Sequence, residues 1–499
     1  MEVFCSAVVG ELFSRFMSSM IKRCNESMTA CEKLEHLKAA LLRAHTIVEE
    51  AASRRVTNGA MLLQLSVLMK AMYRGQYVLD TYKYQYRAII GDAGADDQET
   101  LPQLTTFGPT AGKRRRWLST SPAMDDLRDV LSGLESTIAD MDEFLVFLGS
   151  YPRMFCQPYT TYLFVDNCMF GRQTELRRVI GFLLRKEPEP EPERSSTTGL
   201  DVLPLIGRRG AGKRTLVEHA CSDERVRACF PVIIRICKED LEGTTSMAIC
   251  KHQKNFQDGS YKTLVIVEYN GEASWTKLYD FCSSASCIAN GSKIIVTSAA
   301  EAGLPDITRL GTTVPIRLDY LSPEEYWYFF KARAFGATNP NDQPELASVA
   351  MAVVAELRCS FMYANMYGGL MRNNMDARFW RGLLRCLRGH MRRHLSICGD
   401  NPMDLIGNNR PSYLHPIHGK GSADGVYLLY NYRSTAAERV DTLPGVSVQD
   451  LIVGRGVPDD ERFEVLGWRS HIAPYYCYLA SCEKRRTRQG SPLKRTMRT

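Results

Sequence analysis

Gly207-Arg208-Arg209-Gly210-Ala211-Gly212-Lys213-Arg214-Thr215 follows the apolar run Val202-Leu203-Pro204-Leu205-Ile206 and leads into a segment with helical spacing. Glycines let the backbone wrap closely and turn its N–H groups toward an anion at the positive end of the following helix. The lysine closing such a run reaches a nucleotide's outer phosphates. Strand, glycine turn, lysine and helix in this order predict a phosphate-binding loop. Its nucleotide contacts are expected at Gly207, Gly210, Ala211, Gly212, Lys213, Arg214 and Thr215.

The chemistry of the loop is incomplete. A serine or threonine directly after the lysine normally supplies the hydroxyl that ligates Mg²⁺; here that residue is Arg214. Thr215 comes one residue later, so on a helix its side chain points about 100° away. The third apolar run, Leu264-Val265-Ile266-Val267, ends in Glu268-Tyr269. Glu268 is the one carboxylate there, the candidate base and metal ligand, because tyrosine cannot act as a carboxylate base near pH 7. Nucleotide binding needs only the backbone cradle and Lys213, whereas efficient hydrolysis needs the groups that are missing.

Outward from the loop, further β-rich runs follow at Val232–Ile236, Lys293–Thr297 and Val314–Leu318. Continuous apolar strands separated by helical stretches predict a parallel sheet covered on both faces. Residues 186–199, with glutamate and proline alternating, read as an extended, solvated surface loop. Upstream lie four amphipathic stretches. One spans residues 8–21. A second carries Leu34, Leu37, Leu41, Ala44, Val48 and Ala51, a third runs from about Met61 to Tyr82, and a fourth opens at Ser121-Pro122 and continues to Leu148. Such helices bury their stripes against one another, so a four-helix bundle is expected. Beyond 320 the chain turns helical again, and from 425 short apolar runs alternate with turns before a basic tail.

Composition sets the outer limits. The 499 residues are 44% hydrophobic and 24% charged, ordinary for globular protein, and the net charge of +7 is too small for a general nucleic-acid-binding surface. The 16 cysteines form no Cys-x-x-Cys pair, which speaks for a reducing compartment and against zinc. Cys282/Cys287 and Cys477/Cys482 have no second ligand pair nearby, and His390/His394 have no carboxylate or cysteine partner in sequence. The N-terminus lacks signal-peptide features, and no apolar run approaches the roughly 18 to 20 residues needed to span a bilayer. A cytoplasmic protein is expected. Nuclear routing through Lys113–Arg116 or the C-terminal basic runs, and peripheral plasma-membrane attachment through residues 1–22, are the alternatives.

The order of segments resembles the NB-ARC module of plant disease-resistance receptors, in the coiled-coil (Rx-type) branch found in monocots. Phe170-Gly171-Arg172-Gln173 is similar to the family's motif ahead of the phosphate loop, whose backbone lies near the adenine; the resemblance adds Gly171 and Arg172 to the nucleotide contacts. Gly291–Ala299 is similar to the segment that normally ends in a phosphate-sensing arginine, here Ala299. The stretch Leu318–Phe335, with Ser322, Glu324-Glu325, Trp327 and Phe330, resembles the family's signature most fully. It also reads as a capped helix with Ser322 as N-cap and Glu325 at the third position. Ser360-Phe361-Met362-Tyr363-Ala364 stands in place of Gly-Leu-Pro-Leu-Ala, with Met362 for the proline. Gln76–Asp80 stands in place of the acidic bundle motif. The Met-His-Asp trio is not found, and no repeat of a leucine-rich solenoid is visible.

The resemblance implies a multidomain α and α/β protein. An Rx-type four-helix bundle (1–150) precedes a P-loop parallel-sheet nucleotide-binding domain (160–320), a helical ARC-like domain (321–400) and a divergent C-terminal region (401–499). It implies a defence-signalling protein that binds ADP or ATP as a conformational switch, with little or no hydrolysis. Its protein partners, self or other immune receptors, would bind through the bundle. A slow ATPase switch using Lys213 and Glu268, and a nucleotide-free scaffold or decoy, are the competing readings.

Overall fold

The computed structural model describes residues 30–54, 56, 58–91, 124–152, 170–185, 201–208, 210–236, 262–269, 291–298, 312–402, 405, 410–416, 425–435, 444–470 and 476–486. The chain divides into two compact units, Met1–Pro158 with Pro340–Met351, and Tyr159–Asn339 with Ala352–Thr499.

The first unit is built on α1 (Ala30–Ala52), α2 (Gly59–Gly91) and α3 (Met124–Ala139), each packed against the other two. The stripe predicted on α1 is its core: Leu37, Leu41, Ala44 and Ala51 are buried. At Gly75 of α2 an added Cβ would lie 3.0 Å from Leu41 Cδ2 and 3.3 Å from Leu37 Cδ1, so the α2 backbone rests directly on that stripe. Leu41 is therefore a packing residue. The predicted fourth helix is interrupted at Asp140-Met141 and restarts as α4 (Asp142–Gly149). Phe144 and Leu148 of α4 stay buried, so the break leaves the apolar stripe in use. Asp80 is buried and accepts from Gln76 Nε2 at 2.8 Å, while burial, helped by Asp80, pushes the Tyr84 phenol up. The first predicted helix (residues 8–21) and the Ser121-Pro122 start lie outside the described residues, so the described part is three long helices and a short one.

The second unit begins with α5 (Gln173–Leu184), followed by β1 (Asp201–Gly207), α6 (Lys213–Ser222) and α7 (Glu224–Cys229). Strands β2 (Val232–Ile236), β3 (Thr263–Tyr269), β4 (Lys293–Ser298) and β5 (Ile316–Leu318) complete a five-stranded sheet in the order β2-β3-β4-β1-β5. All four pairings are parallel, and Thr297 lies opposite both Leu205 and Glu268. The strands that read as unbroken apolar runs are buried almost throughout, as a sheet covered on both faces requires. In this order the strand that follows β1 lies to one side of the β4-β1 pair and the strand that follows β4 to the other, the switch point beside which such sheets bind ligands. At the other end of the sheet, buried Lys293 donates to the carbonyls of Phe182 at 2.5 Å and Arg185 at 2.8 Å, capping α5.

Helices α8 (Pro323–Phe335), α9 (Pro344–Glu356, counted with the first unit as far as Met351), α10 (Phe361–Asn373) and α11 (Ala377–Cys398) follow in the chain. The capping box expected at Ser322 is present: Ser322 N–H donates to Glu325 Oε2 at 2.9 Å, and Glu325 N–H to Ser322 Oγ at 3.3 Å. Tyr326, Trp327 and Phe330 are fully buried. The C-terminal region, read from sequence as short runs and turns, is a four-stranded sheet in the order β6-β7-β9-β8 with α12 (Val448–Val453) beside it. Its strands are β6 (Ser412–Leu414), β7 (Gly425–Thr435), β8 (Arg462–Arg469) and β9 (Cys477–Arg486), all antiparallel. Lys484-Arg485-Arg486, expected in a free tail, belong to β9, with the Lys484 ammonium bonded to the Pro458 carbonyl. Cys477 and Cys482 are buried in β9 at odd spacing, hence on opposite faces.

His394 of α11 joins that helix to β6. Its Nε2 accepts the Tyr413 N–H at 3.3 Å, which leaves Nδ1–H to donate to the Asp400 carbonyl at 3.2 Å. That pair of bonds needs the neutral ring, and burial holds the His394 pKa below its usual value. The unfolded chain then binds the extra proton first, so this contribution is present above about pH 6.5 and is lost as pH falls through the folded value. The melting temperature is expected to drop between pH 7.5 and 5.5, and the drop to be smaller in His394→Gln. Equal drops in both proteins, followed by calorimetry, would remove His394 from the account.

Candidate functional site

Gly207 ends β1 opposite Leu318 of β5. A Cβ on Gly207 would fall 2.3 Å from the Leu318 carbonyl oxygen, so only glycine lets the two backbones approach this closely. The chain then turns, Ala211 N–H donating to the Arg208 carbonyl at 3.2 Å. Gly210 and Gly212 adopt φ of +80° and +88°, in the left-handed region that glycine enters without steric cost. Gly212 is the N-cap of α6, and buried Ala211 fixes the turn from below. Left-handed residues alternating with ordinary ones at a helix start make the concave run of amides that binds phosphate. Lys213 Nζ donates to the carbonyls of Gly207 at 2.6 Å and Arg208 at 2.9 Å, so its ammonium lies within the turn.

The next residue departs from this pattern. Arg214 Nε and Nη2 donate to Glu268 Oε1 and Oε2 in a two-pronged pair. The guanidinium carbon lies 4.1 Å from the centre of the Tyr476 ring, just ahead of β9. Burial works against the charge on Arg214, and Glu268 more than restores it, so the side chain stays protonated. Burial, with Glu268 adding, pushes the Tyr476 phenol up. A second pair stands alongside: Arg235 Nε and Nη2 donate to Glu218 Oε1 at 2.9 Å and Oε2 at 2.6 Å. Glu268, the sequence candidate for base and metal ligand, thus has both oxygens engaged by a cation. A divalent ion does not fit these residues. The position that should carry its hydroxyl ligand carries a positive charge instead, bonded to the carboxylate that should share it.

Gly171 and Arg172 serve a different neighbourhood. Buried Arg172 donates through Nη2 to the Asp319 carbonyl and through Nη1 to Glu175 Oε1 at 3.4 Å, tying the segment before α5 to the link between β5 and α8. Phe170 stacks on Tyr328 with ring centres 6.0 Å apart. Thr215 is half-buried on α6.

Two residues at the loop were not among the sequence candidates. Ser360, N-cap of α10, comes within 3.5 Å of a Cβ built on Gly210, which brings a second helix N-terminus beside the phosphate turn. Arg358 and Cys359 before it have φ of +53° and +58°, a strained approach for non-glycine residues. Tyr476 is the other. Ser360 opens the segment that stands in place of Gly-Leu-Pro-Leu-Ala, which marked the stretch but not this residue; no local pattern marks Tyr476, which reaches the site by tertiary folding.

The five-stranded part of this unit is a parallel-sheet α/β core with helices, and a glycine turn and lysine at the C-terminal edge of its first strand are consistent with the P-loop class. No family model matches the chain. Among curated proteins it is similar to the putative disease resistance protein RGA1 of Solanum bulbocastanum, 24% identical over 70% of this chain. It is also similar to disease resistance protein RGA2 of the same plant, 23% identical over 70%, and to the putative disease resistance RPP13-like protein 1 of Arabidopsis thaliana, 23% identical over 77%. The aligned part is 35%, 35% and 37% of those relatives' own lengths, so the chain spans little more than a third of each. Among solved structures, Caenorhabditis elegans PCH-2 aligns over 47% of this chain and 74% of its own, at 10% identity and a TM-score of 0.34, too loose to carry an argument.

Proposed function

We propose that the chain is a defence-related nucleotide-binding protein of the NB-ARC type, in which ADP or ATP acts as a conformational ligand with little or no turnover. The observation that carries this reading is the 207–213 turn, with two left-handed glycines and Lys213 at the C-terminal edge of β1. Gly207, Gly210, Ala211, Gly212 and Lys213 would hold the phosphates. Gly171, Arg172, Arg214 and Thr215 were expected as further contacts; of these Arg214 stands nearest in role, and Arg172 serves the scaffold. Glu268, engaged by Arg214, is not free to activate water, which disfavours the slow-ATPase reading.

Partner binding belongs to the first unit in this reading. Leu63, Val67, Val146 and Phe147 expose 57%, 51%, 77% and 57% of their surface, and these side chains are where the reading looks for a partner. The four-part division at residues 150, 320 and 400, the Rx-type bundle and a cytoplasmic site belong to the same proposal. No described helix is long and apolar enough to cross a membrane.

The reading is tested by denaturing the purified chain and identifying released nucleotide by chromatography. ADP or ATP is expected from the wild-type chain and less than a tenth as much from Lys213→Ala, since loss of a charged phosphate contact is worth about 1.5–3 kcal/mol. Equal recovery from both would place the nucleotide elsewhere. Steady Mg²⁺-dependent phosphate release that Lys213→Ala abolishes would favour the ATPase reading.

A further inference from the structure

In a phosphate-loop protein the metal ion is held between the residue after the lysine and a carboxylate at the end of a neighbouring strand. In this chain those two positions, Arg214 and Glu268, are bonded directly to each other. We infer that the Arg214 guanidinium stands in for the divalent cation, so that this pocket takes a nucleoside diphosphate without metal, with Glu268 and Tyr476 as its positioning residues. The inference rests on the nucleotide reading above.

The hydrogen-bond inventory of Arg214 carries the argument. Arginine has five N–H donors in a rigid fork. Nε and Nη2 are used on Glu268, whereas Nη1 is buried and has no hydrogen-bond partner among the described residues. A buried donor of a charged group is costly unless it has an acceptor. Arg214 itself follows Lys213 in the first turn of α6, so the acceptor that a ligand held by that turn would offer Nη1 is a phosphate oxygen. Guanidinium geometry suits that acceptor, and unlike a bound metal the group needs no hydroxyl or water to complete its shell.

Glu268 and Tyr476 make the arrangement specific. The carboxylate fixes the fork in its plane from one edge, and the Tyr476 ring covers its face at 4.1 Å, a contact that strengthens as water is excluded. Tyr476, the residue just ahead of β9, lies within electrostatic reach of Glu268, Arg214, Glu218 and Arg235. The site carries less positive charge than a lysine with a dication would. A diphosphate, which has fewer charges than a triphosphate, is therefore the better match.

The test is a fluorescent-ADP titration of the full, nucleotide-stripped chain, in excess EDTA and in excess Mg²⁺. The two affinities are expected to agree within about threefold, less than 1 kcal/mol. Arg214→Ser, which places a hydroxyl after Lys213 and frees Glu268, is expected to bind at least about tenfold more tightly with Mg²⁺ than with EDTA. Tyr476→Ala should weaken binding in EDTA and Tyr476→Phe restore it, a rescue that tracks the ring face. Wild-type binding that needs Mg²⁺ overturns this inference and leaves the nucleotide reading intact. No binding in either condition overturns both.

Discussion

Gly207→Ala is expected to lower the stability of the second unit by about 3 kcal/mol, the upper range for forcing an atom into a packed site. The added Cβ would lie 2.3 Å from the Leu318 carbonyl oxygen and 3.1 Å from its carbon, both backbone atoms that no rotamer change can move aside. Relief requires β1 and β5 to part. β5 is an edge strand, which limits the damage, but the residue after Leu318 is Asp319, whose carbonyl holds Arg172. The strain therefore spreads into the attachment of α8. For a unit of this size, with an unfolding entropy of about 2.1 cal/mol/K per residue, the transition should fall by about 4 °C, read by differential scanning calorimetry. A shift under about 1 °C would mean that the loop does not leave β1 as described.

The second large effect is expected at Glu268. Glu268→Ala removes the acceptor for two Arg214 N–H groups and leaves a cation 22% exposed without its counter-charge. Breaking a buried pair on one side costs about 3–5 kcal/mol, and partial exposure of this one places it near 2–3 kcal/mol. Arg214→Met should cost much less, since a thioether fills similar space without an orphaned charge. The double variant should resemble Arg214→Met rather than the sum, as urea unfolding of all four proteins would reveal. A free catalytic carboxylate behaves otherwise: its loss leaves stability unchanged. Equal stability of Glu268→Ala and wild type would therefore restore Glu268 to the role of base.

Much of this was legible in the residues. Five apolar runs announced five strands because a parallel sheet buries both faces, and Ser322 with Glu325 announced a capped helix through spacing alone. Strand order was not legible, since it depends on crossovers that carry no local signal. The C-terminal sheet escaped for a different reason. Register shifts between Tyr430 and Arg433 on β7 and between Leu466 and Trp468 on β8 interrupt the two-residue alternation that marks a half-buried strand. Charge hid the end of β9: Lys484-Arg485-Arg486 read as solvated tail, yet the Lys484 ammonium lies 5.9 Å from the centre of the Phe463 ring. The break after Ala139 has no glycine or proline, and the apolar stripe continues across it through Met141, Phe144 and Leu148.

The site divides along the same line. Glycine spacing and Lys213 were visible because a phosphate turn is a local structure. Loss of the hydroxyl after Lys213 was visible for the same reason. That Arg214 meets Glu268 from 54 residues away, and that Tyr476 covers the pair, is decided by tertiary packing. The sequence reported a hydroxyl missing after Lys213; the fold adds that the arginine in its place is paired with Glu268.

The account depends most on the claim that the 207–213 turn binds a diphosphate. Isothermal titration of ADP into the nucleotide-stripped chain tests it directly, with Lys213→Ala alongside. Saturable binding at one site, weakened at least about tenfold by the substitution, is the predicted result. No heat of binding and no change in melting temperature at millimolar ADP, with the chain folded, would contradict it.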